Sequence, residues 1–155
     1  MKIRNIFIAQ SKAKKDDFER VGDKLSHYTK QRKAPDYDPV SKLFQAAVVG
    51  PKGQKLKNPI VGEAVVTQNW GRLEIDLLFV EEAFRRQGVG TALMKQILQY
   101  ARAEELMAIR LNTPSWQGVG FYETCGFSEM GRIPLDAVIK GERQYEVTYT
   151  QILAL

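Results

Sequence analysis

The stretch Arg85-Arg86-Gln87-Gly88-Val89-Gly90-Thr91 comes just after the run Leu73-Glu74-Ile75-Asp76-Leu77-Leu78-Phe79-Val80 and just before Leu93, Met94, Ile97, Leu98 and Ala101. The run alternates apolar and charged side chains over its first half, as on a half-buried strand. The later residues recur at helical spacing and mark a helix from about Gly90 to Leu106. Ala108 to Leu111 then reads as a short strand. Strand, helix and strand in that order imply a parallel pair with a right-handed crossover. The glycines therefore stand where a strand turns into a helix. Glycine there lets backbone approach a ligand closely. The free N–H groups of the first helical turn add to the positive end of the helix dipole. Together they make a pyrophosphate cradle, to which Arg85 and Arg86 could add charge-assisted contacts; taken alone, the same glycines read equally well as a tight strand-to-helix turn.

Two other phosphate loops fit less well. A Walker A loop ends in Gly-Lys-Ser/Thr, and Gly90-Thr91-Ala92 lacks the lysine. A dinucleotide fingerprint needs a third small residue where Leu93 stands, although Glu105 lies near the position of its acid.

The alternation of the preceding strand breaks at Leu77-Leu78-Phe79-Val80. A β-bulge produces such a break and pries neighbouring strands apart beside active sites. A gap between this strand and Ala108 to Asn112 would leave backbone groups unpaired, and an amide-bearing ligand could pair with them like an extra strand. The third informative stretch is Phe121-Tyr122-Glu123-Thr124-Cys125-Gly126-Phe127. Its Tyr122 hydroxyl is a donor with an ordinary pKa of about 10. An alkyl thiolate has similar proton affinity, so a tyrosine is a sensible acid for a thiolate leaving group. Taken alone, these aromatics read equally well as core.

Working outward, Ile3 to Ala9 reads as a first strand. Phe18, Val21, Leu25 and Tyr28 mark a helix from about Lys14 to Gln31 whose stripe is expected to face the core. Two prolines make Lys33 to Pro39 a loop. Leu43 to Val49 and Ile60 to Thr67 are strands around a long lysine-bearing hairpin loop, followed by a turn at Asn69-Trp70-Gly71. Gln117 to Thr124 is a short helix weakened by Gly118 and Gly120. Ser128 to Ile133 and Gln144 to Leu153 are strands joined around Lys140-Gly141-Glu142. The fold class is α+β, a single domain over residues 1–155.

The 155 residues suffice for one hydrophobic core. One cysteine excludes an intrachain disulfide and suits a reducing cytoplasm. With one histidine besides, no soft-ligand metal site can be assembled. The net charge of +5 favours anionic ligands, but both signs are interspersed and no aromatic–basic alternation suggests nucleic acid. The amino-terminal apolar run ends by Ala9, too short for a signal peptide, and no window has the length of a membrane helix. A soluble protein with neither nucleic acid nor membrane as partner is expected.

The three stretches in this order resemble the GNAT superfamily of acetyl-CoA-dependent N-acetyltransferases. The family's phosphate loop, Gln/Arg-x-x-Gly-x-Gly/Ala, is met by Arg85, Gly88 and Gly90, and its later Tyr-x-x-x-Gly-Phe by Tyr122, Gly126 and Phe127. The resemblance is sharp from about Leu73 to Phe127. It implies a mixed, mostly antiparallel sheet of about seven strands with one splayed parallel pair, flanked by about four helices. It implies that backbone at Leu78, Phe79 and Val80 binds pantetheine and acetyl, and that Gln87, Gly88, Val89, Gly90 and Thr91 hold the pyrophosphate beside Arg85 and Arg86. Asn112 lies where the second splayed strand ends and joins the cofactor set. Tyr122 matches the general acid that protonates the departing thiolate. Many members carry Asn seven residues before that tyrosine and Ala four before it, where this chain has Ser115 and Gly118. Serine can still hydrogen-bond pantetheine; the rigidity of the helix is what the departure touches.

The reaction the resemblance implies is direct attack of a neutral amine on the thioester, with a backbone N–H near Phe79 or Val80 stabilising the oxyanion. Glu74 and Asp76 share a face if the strand is regular there, and either, or a water chain, would take the amine's proton. Acceptor contacts are expected after the first helix, from Tyr28, Asp36, Tyr37 and Asp38, with Trp116 in the later helix; aromatics and carboxylates suit an amine cation. Cys125 and His27 read as packing or surface residues. The reading is acetyl transfer to a primary amine of a small molecule. The alternatives are a protein or peptide acceptor, or a non-catalytic acyl-CoA-binding module, and the resemblance allows a homodimer.

Overall fold

The structure, a computed structural model, describes residues 12, 14–32, 38–48 and 59–153. The chain divides after Asp36 into two compact units. The first contains helix α1, Lys15–Gln31. Its amino end is held by Asp17, whose carboxylate accepts from the Lys14 N–H at 2.9 Å and from Arg20 at 2.8 Å. Among the described residues of this unit, the stripe expected to face a core has nothing to pack against. Phe18, Val21, Leu25 and Tyr28 are 51–72% exposed, and no residue of α1 is buried. Burying a helical stripe takes a second element, and none of the described residues of this unit supplies one. The strand expected at Ile3 to Ala9 lies outside the described residues.

In the second unit a six-stranded sheet runs in the order β1-β2-β3-β4-β6-β5. The strands are β1 Val40–Ala47, β2 Ile60–Asn69, β3 Arg72–Val80, β4 Ala108–Pro114, β5 Ser128–Ile139 and β6 Glu142–Ile152. Only β3 and β4 are parallel; the other neighbours are antiparallel. The crossover between β3 and β4 carries a 3₁₀ turn, Glu82–Phe84, and helix α2, Val89–Ala103; the short helix α3, Val119–Thr124, follows β4. Among the described residues this makes six strands and three α-helices, against the seven and four expected, in the expected mixed architecture.

One face of the sheet carries the core. Val66, Leu73, Ile109, Leu111, Val147 and Tyr149 meet Met94 and Ile97 of α2, all essentially without exposure. The spacing of Leu93, Met94, Ile97 and Ala101 gives α2 its one apolar stripe. The helix ends earlier than the apolar pattern suggests. Glu105 turns left-handed at φ 54°, and Leu106 N–H bonds back to the Ala101 carbonyl at 2.9 Å. Leu106 is thereby folded into the core.

Strand β5 also departs from its sequence reading, which stopped at Ile133. It runs through Pro134 to Ile139. β5 is an edge strand, where a missing N–H is tolerated, and its register slips between Pro134 and Val138. Trp116 precedes α3 rather than lying in it, because the helix begins only after Gly118, whose φ is 62°.

Candidate functional site

The sheet opens between its two parallel strands. β3 pairs with β4 only from Arg72↔Ala108 to Ile75↔Leu111. Beyond that, β3 stays with β2 as far as Gly62↔Val80, and β4 stays with β6 as far as Pro114↔Glu146. The cause is a bulge. Val66 pairs with Ile75 and Val65 with Leu77, so Asp76 is an extra residue on β3. The bulge predicted from the broken alternation is present, and it bends β3 where the pairing ends. Leu77 to Val80 and Asn112 to Pro114 thus line a cleft without each other as ladder partners. Leu78 and Val80 are half-buried in it, while Phe79 is about half exposed.

The amino end of α2 stands at the end of β3. Gly88 caps it at φ 84°, a left-handed conformation open to glycine and strained for other residues. The first ladder bond runs from Ala92 N–H to the Gly88 carbonyl at 2.9 Å, so the amides ahead of it have no partner within the helix. Gly90 serves a different end. A Cβ there would stand 3.2 Å from Phe121 Cζ and 3.8 Å from Val80 Cγ2. The contact with Val80 would be ordinary, but the Phe121 ring would have to give by a few tenths of an ångström. Arg85 donates from Nε to the Val80 carbonyl at 3.0 Å, its guanidinium over the Phe79 ring, and Gln87 closes the turn by donating to the Ala83 carbonyl at 2.8 Å. Arg86 is exposed, in left-handed conformation at φ 59°.

The Tyr-x-x-x-Gly-Phe pattern is, physically, a helix terminus. Phe127 N–H bonds to the Tyr122 carbonyl (3.1 Å) and Gly126 N–H to the Glu123 carbonyl (3.0 Å), with Gly126 at φ 90°. This is a Schellman cap, and its apolar residue Phe127 is buried. The pattern fixes where the last turn of α3, and with it Tyr122, sits. The Tyr122 ring lies among Phe121, Phe127 and Tyr149 at centroid distances of 5.2, 6.3 and 5.7 Å. Burial, helped by Cys125, pushes its pKa above the ordinary tyrosine value, so it stays a proton donor. Burial likewise pushes the Cys125 thiol up, which keeps it a poor nucleophile.

Glu74 and Asp76 line one hollow of about 300 Å³ on the other face of the sheet, with Thr67, Asn69 and Arg72. The strand is not regular there, since Asp76 is the bulged residue itself, yet both side chains reach the same hollow. Thr67 Oγ1 donates to Asp76 Oδ2 at 2.6 Å, and Glu74 lies 3.6 Å from Arg110 Nε across the parallel pair. With its amide oriented to suit its neighbours, Asn112 donates to Thr148 Oγ1 (2.9 Å) and accepts from Arg110 Nη2 (3.2 Å). Ser115 is engaged inside the protein: its hydroxyl donates to Gln144 Oε1 (2.9 Å) and accepts from Tyr145 N–H (3.0 Å). Tyr28, on α1, stacks under Arg32, and Trp116 is about half exposed. Asp36 and Tyr37 lie outside the described residues.

Sequence reading missed Arg110, which strand alternation between buried Ile109 and Leu111 could have placed opposite Glu74. It also missed Tyr149, for which no local signal exists. Among the described residues there is no metal-binding cluster and no helix long and apolar enough to cross a membrane.

Comparison with known proteins bears on the same segment. Residues 12–127 match the model of the acetyltransferase (GNAT) family. Over 63 residues, 39% of this chain, the sequence is 35% identical to human N-acetyltransferase 8, and the match spans only 28% of that protein. An acetyltransferase from Bacillus cereus ATCC 14579 shares the fold with a TM-score of 0.71 at 22% identity, over 94% of this chain and 98% of its own. A Bacillus anthracis str. Ames protein described as a streptothricin acetyltransferase was solved with acetyl coenzyme A. It superposes with a TM-score of 0.54 at 30% identity over 64% of this chain and 59% of its own. GNAT proteins use acetyl-CoA as acyl donor. On the match over residues 12–127, which contains the opened strand pair, the glycine-capped α2 and the capped α3, the chain belongs to the GNAT acetyltransferase family.

Proposed function

We propose that the chain is an acetyl-CoA-dependent N-acetyltransferase that acts on a primary amine of a small molecule in a reducing, cytoplasmic setting. One observation carries the reading. The opened β3–β4 pair, the amino end of α2 and the helix bearing Tyr122 converge, with Gly90 fitted between Val80 and Phe121.

Acetyl-CoA supplies an activated thioester, a diphosphate and two amides, and the residues fit all three. In this reading the amides from Gln87 to Thr91 hold the diphosphate, with Arg86 and the remaining N–H groups of Arg85 beside them. Leu78, Phe79 and Val80 turn toward pantetheine the side of β3 that has no β4 partner, the Val80 carbonyl being held by Arg85, with Asn112 on the facing strand. Ser115 is better suited to bracing the end of β4 than to touching the ligand, because its hydroxyl is already engaged. Tyr122 gives its proton to the departing sulfur. Glu74 or Asp76, on the opposite face, takes the proton of the attacking amine, and their hollow attracts its cationic form. Trp116, about half exposed just ahead of α3, is the acceptor contact proposed from this unit.

The test is release of free thiol from acetyl-CoA in the presence of small amines, peptide amino termini and lysine peptides. Small amines should be preferred. Tyr122→Phe should bind coenzyme A nearly as well as the parent and turn over about a hundredfold more slowly, the scale of general acid catalysis. Tight binding with no thiol release on any acceptor would leave an acyl-CoA-binding module instead.

A further inference from the structure

Helix α3 has six residues, two of its flanking or internal positions are glycine (Gly118 and Gly120), and no side chain caps its amino end. A helix this short is not stable alone. Something outside it must fix the direction in which Tyr122 points. Tyr149, in the middle of β6 and without exposure, is placed to do so. Its hydroxyl is 3.2 Å from the Val119 carbonyl, at the first residue of α3, and 3.1 Å from Glu123 Oε1, near the last. One hydroxyl proton is shared between these two acceptors, which bracket Tyr122 in sequence. The Tyr149 ring meanwhile packs against the Tyr122 ring, 5.7 Å between centroids and tilted by 38°. Burial and the neighbouring Glu123 carboxylate both keep the phenol protonated, so it remains a donor.

We infer that Tyr149 is a positioning residue: its hydroxyl pins α3 to the sheet and so aims the Tyr122 hydroxyl. This rests on the proposal that Tyr122 is the general acid. The sheet's core would be filled equally well by phenylalanine, so tyrosine at this position is explained by what its oxygen holds. Misplacement of a catalytic group by about 1 Å costs up to about a hundredfold in rate, which sets the scale of the effect.

The experiment is a double-mutant cycle in acetyl transfer, with kcat and the KM for acetyl-CoA read separately. Tyr149→Phe should lower kcat by roughly tenfold to a hundredfold and leave the KM for acetyl-CoA unchanged. In a Tyr122→Phe background the same substitution should cost nothing further, because the group it aims is gone. Wild-type kcat in Tyr149→Phe, or an equal loss in both backgrounds, overturns the inference. Wild-type kcat in Tyr122→Phe alone sinks the acid reading, and this inference with it. Should Tyr149→Phe fail to fold, exposed Glu123 decides. Glu123→Ala should lower kcat only when Tyr122 is present, and Glu123→Gln, which keeps an acceptor oxygen, should restore it. An equal loss from Glu123→Ala with and without Tyr122 would then refute the inference.

Discussion

Gly88 and Gly90 belong to one motif but should fail in different ways when replaced by alanine. At Gly88 a Cβ meets nothing within 4 Å, so the only penalty is the left-handed backbone at φ 84°. That conformation costs an L-residue about 1–2 kcal/mol. Alanine also narrows the unfolded ensemble, which offsets part of the cost. A net loss of about 1 kcal/mol is expected, or roughly 3 °C in melting temperature for a chain of this size. Asparagine, which tolerates the left-handed region, should lose less, and valine more. At Gly90 the backbone is helical and alanine is the better helix former by about 1 kcal/mol. There the obstacle is Phe121, whose ring atoms stand 3.2 and 3.3 Å from the added Cβ. Gly90→Ala should therefore be rescued by shortening Phe121 to leucine, while Gly88→Ala should not. Thermal melts rank the variants, and calorimetry with coenzyme A reads the cradle. Losing one amide bond to the diphosphate should weaken binding by about 1.5–3 kcal/mol, about tenfold or more. If Gly88→Ala matched Gly88→Asn and the parent in both measurements, the left-handed cap would not be what the motif preserves.

Two further outcomes follow from local geometry. Glu105 occupies the left-handed position after α2 at φ 54°; Glu105→Gly should raise stability by about 0.5–1 kcal/mol, or about 2–3 °C, read by thermal melt. Burial raises the Tyr122 pKa above its ordinary value of 10.0. An acid with a raised pKa keeps its proton up to that value, so kcat should hold through pH 10 and fall only above it. The associated stability is present below the ordinary value and lost as pH rises through the raised one, so melts at matched pH must accompany the rates. A fall in kcat centred well below pH 10 would remove Tyr122 as the group responsible.

Much of this was legible locally. The periodicity of Leu93 to Ala101 located α2, the broken alternation at Leu77 located the bulge, and Gly88 and Gly90 located the turn from β3 into α2, because each depends on a few neighbouring residues and their dihedrals. The sequence put Glu74 and Asp76 on one face only on the condition of a regular strand; the strand is bulged there, and the hollow that both line was not foreseen.

What the chain's order alone determined is the list of parts: strand, helix entered through glycines, strand, and a short second helix bearing Tyr122. Only the tertiary structure decided that a side chain at Gly90 would press on Phe121, and that the strand pairing ends after Ile75 and Leu111. It alone revealed that Tyr149 reaches across from β6 to both ends of α3. These are contacts between residues far apart in the chain, where burial and distance are set by packing rather than by spacing.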